Sequence, residues 1–331
     1  MAAPRWVTVP RVFGRVGASD LGLVINQADP YSIEVGEYYQ RVRGIPAGNV
    51  LRVSLPRRAV LDVEELEQLR TQVSRHFGRR VQGLALAWAE PYAVACQSIT
   101  AAVTLGFDRQ LCSRPCGKAQ ASPLFNSASG APFRDHGLRP SMLLAAPDVA
   151  QARALIDRGL AADHSLGLLG SPPVHAWFMS THDATRNVRA ALFPPPGRIG
   201  RPPLQVHVAQ ADELHDQRGV VLVQTGLARL SGLETLHFVP GALADHLTSF
   251  GGSLADPQGQ TSALAWIAAG ATATYGTVSE PCNHLQKFPH PQLLLLHYMQ
   301  GASALEAYWK SVAWPAQGLF IGDPLAAPFA H

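Results

Sequence analysis

The sequence has little charge, few cysteines and no long apolar run. Charged residues make up 15% of its 331 positions, and the formal net charge is only +3, so a basic nucleic-acid-binding surface is not indicated. No stretch reaches the eighteen or more uncharged apolar residues that a membrane-spanning helix requires. The 47% of hydrophobic residues is instead typical of a folded globular chain. We therefore expect no nucleic-acid partner and no membrane span.

Four cysteines are too few for a disulfide framework in a chain of this length, which is typical of a reducing compartment. Cys112 and Cys116 allow either a local disulfide or half of a metal site, but no second Cys or His pair stands at zinc spacing. Walker-type and GxGxxG glycine patterns are missing as well. The N-terminus lacks the uninterrupted apolar core of an export signal. The sequence thus predicts a cytoplasmic protein without metal or cofactor.

The opening of the chain predicts a strand, a helix and a second strand. An apolar run at residues 21–25 precedes Asp29 and Pro30, which suit an N-cap and the first helical turn. Apolar residues recur at helical spacing up to Gly44, and strands follow at residues 49–53 and 81–88. Similar alternation recurs to the end of the chain, including a strand at 272–275. The pattern predicts a three-layer α/β sandwich with a mostly parallel sheet, caspase-like or flavodoxin-like.

The chain is expected to form one α/β domain over residues 21–331, preceded by an extension at 1–20. Residues 96–140 are rich in Gly, Ser and Pro and predict an irregular insertion. Residues 193–203 contain PPPGRIGRPP and predict a Pro-rich linker. Residues 237–247 are expected to pass from a strand through a turn into a short helix.

Polar residues follow several of the predicted strands. Asn26, Asp29 and Glu90 come after the first and third strands, and ligands of open α/β sheets lie beyond strand ends. The first two are equally suited to shaping a turn and capping a helix, which is the simpler reading.

The densest polar segment is Asp245 and His246 followed by Thr248, Ser249, Gly251 and Gly252. Hydroxyl groups beside a glycine turn can bind an anion or an oxyanion through side chains and backbone N–H groups. A polar helix end closed by a glycine turn explains the same pattern equally well.

A second polar segment contains Glu280, Cys282, Asn283 and Lys287. A thiol near cationic groups has a lowered pKa and can act as a nucleophile, with His246 or His237 as the base and Glu280 or Asp245 orienting it. A small buried cysteine in a Pro-bounded loop is the simpler alternative. If the segment is functional, it should form one concave site with the Asp245 segment.

Four stretches resemble a conserved bacterial family that is defined by a numbered model and has no assigned activity. They are GATATYGTVSEPCN at 270–283, KFPHP at 287–291, EAYWKSVAWPAQGLFIGDPLAAPF at 306–329 and VINQADPYSIEVGEYYQRVRGIPAGNV at 24–50. The resemblance covers nearly the whole chain. Members of that family often look exported, so the resemblance makes export the alternative location.

The C-terminal part also resembles the caspase-like fold of the gingipain and clostripain peptidases. Residues 260–269, 270–275, 305–312 and 319–324 would be its helix, strand, helix and closing strand, ending in Gly-Asp-Pro. Those peptidases carry a His-Gly pair after one strand and a nucleophilic Cys after the next. The corresponding positions here read Gln224-Thr225-Gly226 and Pro240-Gly241-Ala242, so the resemblance implies the fold without the dyad.

These observations predict a peptidase-related α/β protein that binds or scaffolds an unknown protein or small molecule. The alternative is a cysteine-dependent hydrolase that uses Cys282 with His246 or His237.

Overall fold

The computed structural model describes residues 5–166, 171–200 and 204–331. Its strands are β1 (Leu21–Asn26), β2 (Val50–Val53), β3 (Val60–Leu61), β4 (Gly83–Leu86), β5 (Ala93–Val94), β6 (Gln97–Ser98), β7 (Ser141–Leu143), β8 (Val174–Ser180), β9 (Gly197–Ile199), β10 (Leu204–Gln210), β11 (Arg218–Thr225), β12 (His237–His246), β13 (Ala273–Thr277) and β14 (Gly318–Gly322). Its α-helices are α1 (Pro30–Arg43), α2 (Val63–Phe77), α3 (Ile99–Leu105), α4 (Arg109–Ser113), α5 (Pro132–His136), α6 (Val149–Ala162), α7 (Leu264–Ala269), α8 (Pro291–Met299) and α9 (Ala304–Ser311). Short 3-10 helices cover Ala18–Asp20, Ala47–Asn49, Asn187–Leu192, Leu233–Thr235, Leu285–Lys287 and Pro315–Gln317.

Eleven of the strands in these residues form one sheet in the order β2-β1-β4-β7-β14-β13-β12-β11-β8-β10-β9, and β3, β5 and β6 form a small second sheet. The predicted strands at 21–25, 49–53, 81–88 and 272–275 all lie in the large sheet. Its pairs are parallel except β13 with β14 and β9 with β10. The predicted α/β class with a mostly parallel sheet is therefore confirmed.

Strand β14 is the last of the described strands in sequence, and it is antiparallel to β13 over five residue pairs.

Helices cover both faces of the sheet. Gly36 of α1 packs closely against Ile25 of β1, since a Cβ added to Gly36 would lie 2.6 Å from Ile25 Cγ1. Gly22 of the same strand packs closely against α2, since a Cβ added to Gly22 would lie 2.8 Å from Phe77 Cζ. Positions 22 and 25 differ by three residues, and side chains alternate across a strand. The two helices therefore lie on opposite faces, which gives the three layers.

The first two helices begin where their capping residues predict. Asp29 accepts a hydrogen bond from the Tyr31 amide, and α1 ends at Gly44 with a left-handed φ of 65°. Asp62 and Glu65 form a complete capping box at the start of α2. Each cap satisfies helix-end amides that would otherwise lack a partner.

The predicted turn and helix after residue 239 are wrong, because β12 continues as one strand to His246. In the register of the two strands, Val220 of β11 pairs with Phe238 of β12, and Leu222 pairs with Leu243. Two residues along β11 therefore correspond to five along β12, and the three extra residues of β12 form a bulge. Gly241 lies in this bulge with a φ of +86°. Its amide donates to the Thr272 hydroxyl, and its carbonyl accepts from the Tyr298 hydroxyl. Pro240 and Gly241 thus mark a bulge and not a strand end.

The insertion predicted at 96–140 is not irregular throughout. Helix α3 lies inside it, is capped by the Ser98 hydroxyl and is almost entirely buried, since it packs against β7 and β14.

The expected linker at 193–203 contains β9, and its last three residues lie outside the described residues. In the N-terminal extension, Val7 N–H donates to Gln292 Oε1. None of the described helices has the length and apolar character needed to cross a bilayer.

Candidate functional site

Asp245 lies at the carboxyl end of β12, but it faces the interior. Its carboxylate accepts hydrogen bonds from Arg189 Nη1 and, at 2.9 Å, from Gln224 Nε2. All three side chains are at most 2% exposed. Burial raises the pKa of the Asp245 carboxyl, and Arg189 opposes this shift. The arrangement is a buried ion pair that ties the Asn187–Leu192 helix to the sheet, so Asp245 is not placed to contact a ligand.

His246 is fixed as a neutral ring. Its Nδ1 accepts a hydrogen bond from Trp266 Nε1 at 3.1 Å, and its Nε2 lies 3.0 Å from the Thr261 carbonyl. An indole N–H can only donate and a carbonyl can only accept, so the proton is on Nε2. Burial lowers the pKa of His246 to about 4. Both ring nitrogens are occupied, and His246 cannot serve as the base that the sequence suggested.

The turn after β12 uses much of its hydrogen-bonding capacity on the protein itself. Thr277 Oγ1 bonds to the carbonyls of Thr248 and Ser249 at 2.9 Å, and the Gly252 amide donates to the Thr277 carbonyl at 2.9 Å. An added Cβ on Gly252 would lie 2.4 Å from the Gly276 carbonyl oxygen. The glycine is therefore required by close packing against β13. Its amide is not available to an anion.

The Thr248 side chain is held by Gln260 and Arg186. Its Oγ1 donates to Gln260 Oε1, which also accepts the Phe250 amide at 2.9 Å. Arg186 Nε lies 3.3 Å from Thr248 Oγ1, and its Nη1 pairs with Asp183 at 2.9 Å. The predicted hydroxyl and glycine cradle is thus an internally bonded turn, in which the Gly251 carbonyl also accepts a hydrogen bond from the Ala263 amide at 2.7 Å.

Cys282 forms a disulfide with Cys116, and Cys96 forms one with Cys112. A disulfide sulfur carries no thiolate, so Cys282 cannot be a nucleophile in this state of the protein. The local pairing considered for Cys112 and Cys116 is wrong, because each binds a distant partner. Among the described residues no cysteine is free, and no group of three or more His, Cys, Asp or Glu is placed to hold a metal ion.

Glu280, Asn283 and Lys287 shape the loop around this disulfide. Glu280 Oε1 accepts the Cys282 amide at 2.8 Å, and Asn283 has a left-handed φ of 56°. Lys287 is fully buried, and its Nζ donates to the Pro115 carbonyl at 2.7 Å. Burial lowers the pKa of Lys287 to about 8. This loop therefore bonds to the 96–140 segment and not to the turn after β12.

His237 is too far away to act with Cys282. It begins β12, whereas Cys282 follows the carboxyl end of the parallel strand β13. The β11 residues that pair with His237 and His246 are Arg218 and Thr225, and these seven steps span about 23 Å at the usual rise of a strand. The predicted pairing of Cys282 with His237 is not possible in this fold.

Asn26, Asp29 and Glu90 follow β1 and β4. Asn26 ends β1, and its side-chain amide exchanges two hydrogen bonds with the backbone of Leu55 at 2.9 and 3.1 Å. Asp29 caps α1. Glu90 precedes a cis peptide bond to Pro91, and Tyr92 Oη of the same loop lies 3.3 Å from Ser253 Oγ in the turn after β12. Asn26 and Asp29 thus follow the simpler structural interpretation.

A polar hollow lies at the ends of β8 and β10, and no sequence motif indicated it. His182 Nδ1 bonds to Asp212 Oδ2, and the His182 amide donates to Asp212 Oδ1 at 2.9 Å. These two hydrogen bonds lower the pKa of Asp212, the backbone one most strongly. His182 Nε2 faces solvent, as in a general base, but no hydroxyl or thiol in the described residues bonds to it. Thirty residues separate the pair, so only the fold reveals it.

A second hollow of about 310 Å³ is mostly apolar and lies where the KFPHP stretch meets the end of α9. The residues that line it are Phe125, Leu192, Leu285, Gln286, Phe288, His290, Ser311 and Ala313. None of them is charged at neutral pH. Its size and lining are typical of small-molecule sites, which combine an apolar wall with a few polar groups.

His290 supplies a directed polar group to this hollow. Its Nδ1 accepts the Leu293 amide at 3.4 Å and caps α8, so the neutral ring carries its proton on Nε2. Burial lowers the pKa of His290, which keeps the ring neutral at pH 7. Among the described residues nothing bonds to Nε2. The hollow therefore offers two polar side chains with unused N–H donors, His290 and Gln286, within an otherwise mostly apolar wall.

The chain matches no known protein-family model, no curated protein and no solved structure.

Proposed function

We propose that this protein is a non-catalytic binding protein, built on a peptidase-related α/β fold, that holds an apolar ligand in the hollow beside His290. The observation that supports it best is the combination of a mostly apolar lining with the unused Nε2–H donor of His290. Residues 287–291, one of the stretches that carry the family resemblance, form part of this wall.

The lining indicates the chemistry of the ligand. Phe125, Leu192, Leu285 and Phe288 favour an aromatic or aliphatic group through the hydrophobic effect. Nε2–H of His290 favours a hydrogen-bond acceptor. A carboxylate would be buried without a cation among the lining residues, which costs several kcal/mol. The ligand class is therefore an apolar group with a neutral carbonyl, such as a ketone, an ester or an amide.

The geometry of the polar residues favours binding over hydrolysis. Cys282 is a disulfide partner, His246 has no free nitrogen, and His182 has no nucleophile bonded to it. Each of these groups lacks one component of an activated nucleophile.

The resemblance to gingipain and clostripain supports the fold part of the proposal. Helix α7, strand β13, helix α9 and strand β14 follow one another in the order that the resemblance implies. Strand β11 ends in Gln224 and Thr225, and β12 ends in Asp245 and His246. Neither end carries the His-Gly pair or the cysteine of those peptidases.

We also propose that the protein folds in an oxidising compartment, which favours export over the cytoplasmic location expected from the sequence. Two disulfides link all four cysteines, and such bonds persist outside reducing compartments.

The ligand proposal is tested with prodan, a fluorescent naphthyl ketone. We expect saturable binding of one molecule per chain, with the emission shifted to the blue by the apolar wall. Ala313→Phe fills the hollow and should abolish binding. Ala269→Phe is the matched control, because Ala269 lines a separate hollow beside α7, and it should leave the affinity unchanged. Equal loss in both variants, or no loss in Ala313→Phe, would contradict the proposed site.

The role of His290 is tested separately. His290→Asn keeps a good N-cap for α8 but removes the Nε2 donor, so we expect an affinity about 3- to 10-fold lower, as for one neutral hydrogen bond. Naphthalene carboxylate, the charged analogue, should bind the native protein at least about tenfold more weakly than prodan. Equal binding of the two compounds would exclude the neutral-carbonyl class.

A further inference from the structure

The disulfide between Cys116 and Cys282 lies beside the wall of the apolar hollow. Residues 285–290 provide four of the side chains that line it, namely Leu285, Gln286, Phe288 and His290. We call residues 282–290, from Cys282 to the last of these side chains, the wall segment. A bond that holds Cys282 in place therefore holds one end of this segment.

Noncovalent contacts to the same partner segment accompany the disulfide. His284 Nε2 lies 2.8 Å from the Cys116 carbonyl oxygen, and Lys287 Nζ donates to the Pro115 carbonyl at 2.7 Å. We call the disulfide and these two hydrogen bonds the clamp. All three bonds of the clamp join the wall segment to residues 115–116, and these residues belong to the long loop between α4 and α5.

The backbone of the wall segment is held in an unfavourable conformation next to the clamp. Cys282 and Asn283 have φ values of 58° and 56°, in the left-handed region that costs non-glycine residues about 1 kcal/mol or more each. Loss of the covalent bond would let both residues return to ordinary backbone angles, and the wall segment would move with them.

The cysteines of the two disulfides differ in their exposure to solvent. Cys116 is exposed to solvent, whereas Cys96, Cys112 and Cys282 are partly buried. Thiol–disulfide exchange requires a thiolate to reach a sulfur atom. A reductant therefore reaches the clamp through Cys116.

We propose that the Cys116–Cys282 disulfide is a redox switch for the hollow, which binds its ligand when the bond is formed and loses affinity when a dithiol reductant breaks it. The inference rests on the proposed binding function. A dithiol thiolate attacks Cys116 Sγ, a mixed disulfide forms, and Cys282 leaves as a thiolate that takes up a proton. The second thiol of the reductant then displaces the Cys116 thiolate, so that two electrons pass from the dithiol to the protein.

The switch is tested by measuring prodan affinity before and after mild treatment with dithiothreitol. Alkylation and mass spectrometry identify which cysteines have become free. We expect Cys116 and Cys282 to be alkylated before Cys96 and Cys112, and the affinity to fall at least about tenfold at that stage. The double variant Cys116→Ser/Cys282→Ser should bind weakly with or without reductant. The matched control, Cys96→Ser/Cys112→Ser, should bind tightly when oxidised and stay sensitive to reduction.

An unchanged affinity after selective reduction of the clamp would overturn the switch, and so would earlier reduction of Cys96–Cys112. Hydrogen exchange of the backbone amides of residues 283–290 distinguishes a failure of the proposed switch from a failure of the proposed binding function. If the oxidised protein binds no prodan, the ligand proposal fails, but faster exchange of these amides after reduction still supports the switch. Unchanged exchange, or loss of the far-ultraviolet circular dichroism of the whole chain, counts against it.

Discussion

Single residues in this protein show why chemical type alone predicted the site poorly. Asp245 and His246 are typical catalytic residues, but both are buried and bonded to Arg189 and Trp266. The sequence predicted a turn and a short helix for this segment, whereas both residues end β12. It could not determine which face of the strand they occupy or which partners they meet, because those partners are 20 or more residues away in the chain.

Buried histidines make the stability depend on pH. Burial, assisted by the nearby Lys310 cation, lowers the pKa of His297 from 6.5 to about 4. The folded value is the lower one, so between these two pH values the unfolded chain binds the extra proton. The free energy of unfolding must therefore fall as the pH drops through this window, by about 2 kcal/mol at about pH 5 for this residue.

His297→Gln isolates that contribution. The glutamine amide can still donate to Asn126 Oδ1, which His297 Nε2 contacts at 2.9 Å, but it does not titrate. Urea unfolding at pH 7 and pH 5 should show a loss of stability about 2 kcal/mol smaller in the variant than in the native protein. Identical losses in the two proteins would mean that His297 is not held neutral by burial.

At the scale of secondary-structure elements, the sequence predicted where helices start better than where strands end. The cap of α1 stands where Asp29 indicated it, since a cap is a local interaction. The course of β12 was missed, because Pro240 and Gly241 are ordinary strand breakers. The bulge there is held by two hydrogen bonds to distant residues, one that the Gly241 amide donates to Thr272 Oγ1 and one that the Gly241 carbonyl accepts from Tyr298 Oη. Helix α3 escaped detection for a similar reason, since it is buried by distant strands.

The turn between β12 and α7 depends on a glycine that its neighbours leave no room to replace. In Gly252→Ala the new Cβ would lie 2.4 Å from the carbonyl oxygen of Gly276, a backbone atom that cannot move without disturbing β13. We expect the free energy of unfolding to fall by about 2–4 kcal/mol, as for other overpacked sites. Gly48→Ala is the control, because nothing lies within 4 Å of its added Cβ. Similar stabilities of the two variants in urea would show that the turn can relax.

For the whole molecule, the α/β class followed from alternating strands and helices, but the antiparallel pairing of β14 with β13 did not. A strand pattern carries no information on its neighbours or their direction. The small number of cysteines likewise favoured a reducing compartment. The count of four does not show that the cysteines form two disulfides, whose partners are 16 and 166 residues apart in the sequence.

If the protein is located in an oxidising compartment, all four of its cysteines should be in disulfides in the cell. Protein taken from cells under acid quenching, and alkylated before and after reduction, should show no free thiol before reduction and four afterwards. A mixture with free Cys116 and Cys282 would indicate that the clamp is open in the cell. Four free thiols in the native sample would contradict the proposed compartment.

The place of β14 in the sheet has a consequence for synthesis on the ribosome. Among the described strands, Gly318–Gly322 is translated last, and it lies between β7 and β13 in the sheet. Asp323, directly after it, bonds to Tyr39 and Arg43 of the first helix. Until this segment emerges, β7 and β13 each carry an unpaired strand edge, which is a template for wrong pairing. The two parts of the sheet on either side of β14 can therefore join only after residues 318–322 have emerged, so the nascent chain needs protection until then.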